Sequence, residues 1–107
     1  MLERDEYIRK LLDAYRTTPG TIGLVRRSDR MLAEQLYERA VPLTAVRNAL
    51  LLAAVRRLSR AGGTTLPPVR SLAYFVAIID EVLQTDLGQD YYDHLRNSLR
   101  RLVSDTK

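Results

Sequence analysis

The stretch LTAVRNALLLAAVRRLSR, residues 43–60, decides how this chain folds. Leu43, Val46, Leu50, Ala53 and Ala54 recur on one face at the 3.6-residue period, and Ala49, Leu52 and Leu58 broaden that face. A helix this apolar over three turns needs neighbours on several sides, so it reads as the centre of a helical bundle. Its longest unbroken apolar run, Ala49 to Val55, is seven residues. A membrane span needs about 18 or more, so none is expected here. Arg56, Arg57 and Arg60 close the helix, where cations complement the carbonyl end of the helix dipole.

Upstream, Ala40, Val41 and Pro42 form a break, and Pro42 suits the first turn of the helix after it. The break is preceded by a helix expected over residues 28–39, with Ser28 or Asp29 as its N-cap. Met31, Leu32, Gln35 and Leu36 are its expected inner stripe. A first helix is expected over 3–16, with Leu2, Tyr7, Ile8, Leu11, Leu12 and Tyr15 near one face. Pro19 and Gly20 end it, because proline cannot continue a helix and glycine accepts positive φ. Thr21 to Arg27 reads as a linker or irregular turn.

Downstream, residues 61–70 carry Gly62, Gly63, Pro67 and Pro68 and read as a turn. Ser71 is the expected N-cap of a fourth helix over 71–84, with Leu72, Phe75, Ile78, Ile79, Val82 and Leu83 at helical spacing. Gly88 breaks the chain, and Asp90 is the expected cap of a fifth helix over 91–103, with Leu95, Leu99 and Leu102 inside and Tyr91 beside them. The expectation is one all-α domain over 1–107, a compact bundle of four to five helices with orthogonal or mixed packing rather than a coiled coil.

Composition narrows function. The chain has no Cys, which removes disulfides, thiol nucleophiles and thiolate metal sites and fits a reducing, cytoplasmic setting. The first residues, Met1 to Glu6, carry charges where a secretory signal needs an apolar run. His94 is the lone histidine, and metal sites usually need three or more protein ligands. No serine has a recognisable base partner, and Gly20 to Gly23 lacks the phosphate-loop pattern. The expectation is therefore no enzyme, no metal and no cofactor.

Charge is unevenly spread. Residues 1–25 carry four basic and four acidic side chains, whereas residues 26–70 carry nine Arg against Asp29, Glu34 and Glu38. Residues 71–107 carry four basic and six acidic groups. Fifteen of the seventeen basic residues are Arg, the residue better suited to bidentate phosphate contacts. Arg26, Arg27 and Arg30 surround one helix start, Arg70 precedes another, and Arg56, Arg57 and Arg60 close the central helix. Convergence of these groups would make a face that binds DNA or RNA through phosphates rather than base edges. Two alternatives stand beside it. One is a protein-interaction module, a homodimer or a part docked on a larger complex, with no nucleic-acid contact. The other is a helix-turn-helix regulator over residues 35–50, in which Ala40 holds the usual glycine position and Thr44, Ala45, Arg47 and Asn48 would face the groove.

Residues 15–83 resemble the C-terminal helical module of the DnaD-like primosomal and replication-initiation proteins. Tyr15, Pro19 and Gly20 match its first part; Ser28, Leu32 and Leu36 match its second helix. Val41, Leu43, Val46, Ala49 and Leu50 match the break and the Ala-rich helix, and Tyr74, Ile78, Ile79 and Leu83 match the last stretch. The long loop at 61–70, the absence of any Trp and the additional helix at 91–103 depart from that pattern. The resemblance implies DNA binding without strong sequence preference at replication initiation or in a mobile element, with Tyr74 and the middle-segment arginines carrying it.

Overall fold

In the computed structural model, which describes residues 2–61, 66–85 and 87–105, the chain forms five α-helices. They are α1 (Arg4–Arg16), α2 (Arg27–Glu38), α3 (Leu43–Ala61), α4 (Val76–Gln84) and α5 (Gln89–Asp105), with a 3-10 turn, Leu72–Phe75, leading into α4. The helices make a non-coiled-coil bundle of mixed packing, and among the described residues no strand forms. α3 is the central element expected from its apolar pattern: α1, α4 and α5 all pack on it, while α2 packs chiefly on α1.

The core follows from the helical spacings. Tyr7, Ile8, Leu11, Leu12 and Tyr15 point inward from α1, and Val46, Ala49, Leu50 and Ala53 meet them from α3. Leu72, Phe75, Ile79 and Val82, with Tyr92 and Leu95 of α5, complete the same cluster. The small residues of α3 let its neighbours come close, so Ala49, Ala53 and Ala54 are all buried. The Tyr7 hydroxyl donates to the Val41 carbonyl at 2.8 Å, tying α1 to the α2–α3 joint.

That joint explains the short break at Ala40. Arg39 ends α2, Ala40 adopts φ 57°, and its N–H donates to the Tyr37 carbonyl at 2.9 Å. The Val41 N–H donates to the Leu36 carbonyl at 3.1 Å, and both side chains are buried. This is a Schellman ending, with alanine in the left-handed position that glycine normally fills. Pro42 then accepts the first bond of α3 from Val46, so it stands just before the helix rather than within its first turn.

Several local expectations are corrected. α2 starts at Arg27, so neither Ser28 nor Asp29 is its N-cap. Met31 is exposed and Ala33 takes the inner position, because α2 is rolled to bury Ala33, Leu36 and Asp29. α5 starts at Gln89, which places Asp90 inside its first turn. Tyr92 is the tyrosine that enters the core there, and Tyr91 is exposed. Ser71 does cap, as expected, but it caps the 3-10 turn: its hydroxyl accepts from the Ala73 N–H at 3.1 Å.

Candidate functional site

A buried carboxylate organises the arginine-rich segment. Asp29 is only 1 % exposed. Its Oδ2 accepts the Arg26 N–H at 2.9 Å and its Oδ1 accepts the Leu72 N–H at 2.9 Å. One side chain thus satisfies an orphan donor at the start of α2 and another at the start of the 3-10 turn. Two helix starts turn their positive ends toward the same anion. Arg26 and Arg27 on one side and Arg70 and Ser71 on the other are thereby drawn to one junction.

A second tie runs beside the first. Thr21 and Val69 pair in a single parallel bridge, with the Ile22 N–H donating to the Val69 carbonyl at 3.0 Å and the Val69 N–H to the Gly20 carbonyl at 2.7 Å. The segment after α1, read from sequence as a linker, is therefore clipped to the segment before the 3-10 turn. Gly20 has φ +94°, and a Cβ there would meet the Arg57 Nε at 3.4 Å.

Arg57 reaches from the end of α3 into this clip. Its guanidinium donates to the Pro67 carbonyl at 2.7 Å and lies over the Tyr74 ring, 5.6 Å from the centroid. Tyr74 meets Phe75 edge-on at 5.1 Å, and Phe75 meets Tyr15 edge-on at 6.0 Å. A row of rings thus runs from an exposed Tyr74 to a buried Tyr15. Arg60 lies one turn beyond Arg57 on α3, on the same side of the helix. Arg60, Arg70, Arg26 and Arg27 are exposed and form no ion pair among the described residues.

Two expected members lie elsewhere. Arg56 is engaged by Glu81 of α4 in a two-pronged pair, 3.0 Å from Nη1 to Oε1 and 2.5 Å from Nη2 to Oε2. That hydrogen bonding lowers the Glu81 carboxyl and raises the Arg56 guanidinium. Arg30 turns away into a 370 Å³ groove between α1 and α2, with Arg4, Arg9, Asp5, Asp13 and Glu34 on its walls. The ties at Asp29, Val69 and Pro67 therefore bring the segments carrying Arg26, Arg57, Arg70 and Tyr74 to one junction; Arg27 follows Arg26, Arg60 stands a turn beyond Arg57, and Arg56 and Arg30 lie elsewhere.

Beneath the junction, the Tyr15 hydroxyl is buried with no hydrogen-bond partner among the described residues. Burial raises its pKa, the Asp29 charge raises it further, and the Arg26 charge opposes both. In α3, only Thr44 and Arg47 are exposed over the first two turns. The helix-turn-helix arrangement is thus short of the polar face that a major-groove reader needs. Among the described residues no group of three or more His, Cys, Asp or Glu side chains gathers as metal ligands, and no helix is long and apolar enough to cross a membrane.

Sequence reasoning missed Asp29 as a shared cap and Arg57 as a clamp. The spacing of Asp29 from Arg26 is the signal that was available for the first, because an acidic residue three positions into a helix reaches back to the cap. The bond from Arg57 to Pro67 has no local signal. No family model matches the chain, and no solved structure matches it. Over 103 residues, 89 % of this chain, it is 31 % identical to the DEAD-box ATP-dependent RNA helicase 3A, chloroplastic, of Zea mays, and the chain spans 14 % of that protein's length.

Proposed function

We propose that the chain is a non-enzymatic, cytoplasmic nucleic-acid-binding module that holds phosphates at the junction of α2, the 3-10 turn and the end of α3. The observation that carries this reading is that Arg26, Arg27, Arg60 and Arg70, on segments that meet at or adjoin the junction, are exposed cations with no carboxylate partner among the described residues. Exposed guanidiniums without a carboxylate partner favour a polyanion. Arg57 contributes charge as well, but its guanidinium is first engaged with the Pro67 carbonyl. The stretch shared with the maize helicase makes RNA the first probe to try and supports no motor activity. The resemblance to DnaD-like modules supports an accessory part in replication initiation or in a mobile element.

The test is fluorescence anisotropy with labelled RNA and DNA oligonucleotides at two salt concentrations. Binding is expected to weaken with salt, because phosphate contacts release counterions. R60A/R70A should weaken it and reduce the salt slope by about one unit per lost phosphate contact. R56A should change little, since Glu81 already neutralises that charge. No binding to any oligonucleotide at low salt would refute the proposal.

A second reading has its own observation. Leu83, Leu87 and Tyr91 are all exposed around the corner from α4 to α5. Such apolar surface favours a protein-interaction module, either a homodimer or a part of a larger complex. Sedimentation equilibrium tests the homodimer directly: a monomer that L83S leaves unchanged excludes that form of it.

A further inference from the structure

We infer that the junction takes single-stranded rather than duplex nucleic acid, by stacking an unpaired base on Tyr74; this rests on the nucleic-acid reading above. Tyr74 is 48 % exposed although its ring neighbour Phe75 is 1 % exposed. The ring is held from behind: the Arg57 guanidinium covers it at 5.6 Å and the Phe75 ring abuts it at 5.1 Å with a 79° interplanar angle. Arg57 is itself fixed by the Pro67 carbonyl at 2.7 Å. The aromatic surface is therefore pre-oriented, and stacking on it costs little side-chain ordering.

The surroundings fit a strand lying across that ring. Pro67, whose carbonyl holds the Arg57 guanidinium that covers the ring, is itself exposed, as are Leu66 and Pro68 on either side of it in the chain. Arg70 precedes the 3-10 turn that carries Tyr74, and Arg60 follows Arg57 by one turn, which supplies cations for phosphates flanking a stacked base. Bases inside a duplex are already stacked and cannot reach the ring. Every base has a π face, so the contact tolerates any sequence.

The test uses the full chain and one oligonucleotide sequence as single-stranded RNA, single-stranded DNA and duplex. Both single strands should bind about tenfold or more tighter than the duplex. Y74A should weaken single-strand binding by about tenfold to a hundredfold. Y74F keeps the ring and should stay within about twofold of wild type. A merely structural Tyr74 would instead make Y74A weaken duplex and single strand alike. Photo-crosslinking of the wild-type chain to a 5-bromouridine oligonucleotide gives a readout independent of any variant's folding, with the adduct expected on Tyr74. Equal duplex binding with Y74A silent, or an adduct away from Tyr74, overturns the stacking inference and leaves phosphate binding standing. Absence of binding to all three probes overturns both.

Discussion

Asp29→Asn is the substitution that most directly interrogates the junction. The carboxylate accepts one backbone N–H on each oxygen, both at 2.9 Å, and is 1 % exposed. Asparagine keeps one acceptor oxygen. Whichever N–H it satisfies, its amide NH₂ faces the other, donor against donor. Leaving a buried N–H unsatisfied costs about 1–3 kcal/mol. Removing a negative charge from two helix starts costs a further 0.3–1 kcal/mol or so. The expected loss is about 1.3–4 kcal/mol, or roughly 5–30 °C in Tm for a domain of this size.

The assay is thermal and urea unfolding followed by far-UV circular dichroism. Ser28→Ala serves as the control: Ser28 is exposed, so its removal should stay within about 0.5 kcal/mol. D29N should also weaken oligonucleotide binding, because it releases Arg26 and Arg27 from Arg70. A D29N loss below about 1 kcal/mol would refute the shared-cap reasoning, since no arrangement of an asparagine satisfies both donors.

Four further outcomes are expected. Ala40→Gly should stabilise the fold by about 0.5–1 kcal/mol, because the left-handed position costs alanine roughly 1–2 kcal/mol and glycine recovers part of that against its greater unfolded-state freedom; urea midpoints will show it. Gly20→Ala should destabilise by about 1–2 kcal/mol and loosen the Arg57 clamp, seen as a lower Tm together with weaker oligonucleotide binding. Burial raises the Tyr7 and Tyr15 hydroxyls, so the fold favours their protonated forms; that stability is complete below about pH 10 and is lost as pH rises through the raised values, and Y15F should flatten the decline in urea midpoints above about pH 10. The Glu81 carboxyl is lowered by Arg56, so the pair's contribution is present above the ordinary carboxylate range and lost as pH falls through the lowered value; E81Q should remove that acid-side component and, by freeing Arg56, tighten oligonucleotide binding.

The helices were legible in the sequence because their burial is periodic. Leu43, Val46, Leu50 and Ala53 announce α3, and the structure surrounds that helix as the pattern requires. The ends of elements were less legible because caps are chosen by tertiary partners. Ser28 and Asp29 are equally good caps by type, yet Asp29 is drawn inward by the Leu72 N–H, 43 residues away. Met31 fits the period of α2 but lies outside, since burying Asp29 and Ala33 fixes the helix roll. Of the site, the sequence revealed the charge and not its pairing. Arg56 and Arg57 are adjacent and chemically identical, and only their partners, a carboxylate on α4 and a carbonyl before the 3-10 turn, tell them apart.

That difference bears on how an arginine cluster should be weighed. A guanidinium paired two-pronged to a carboxylate has little net field left for a phosphate, and recruiting it requires breaking the pair. One bonded to a carbonyl keeps its full charge, because the carbonyl contributes only a dipole. Arg57 is therefore both a structural clamp and a source of positive potential at Tyr74, whereas Arg56 is only the former, toward α4. R57A and R56A should accordingly behave oppositely to their proximity in sequence. R57A should lower stability and binding together, through loss of the clamp and of the ring's orientation. R57K separates these effects: it keeps the charge and a single donor for the Pro67 carbonyl, but gives up the planar cover of the ring. If R57K holds the salt slope of wild type while weakening only single-strand binding, the charge and the stacking surface are distinct contributions of one side chain. If R57K matches wild type in both, the planar guanidinium is not what orients Tyr74, and the Phe75 ring is the contact that holds it.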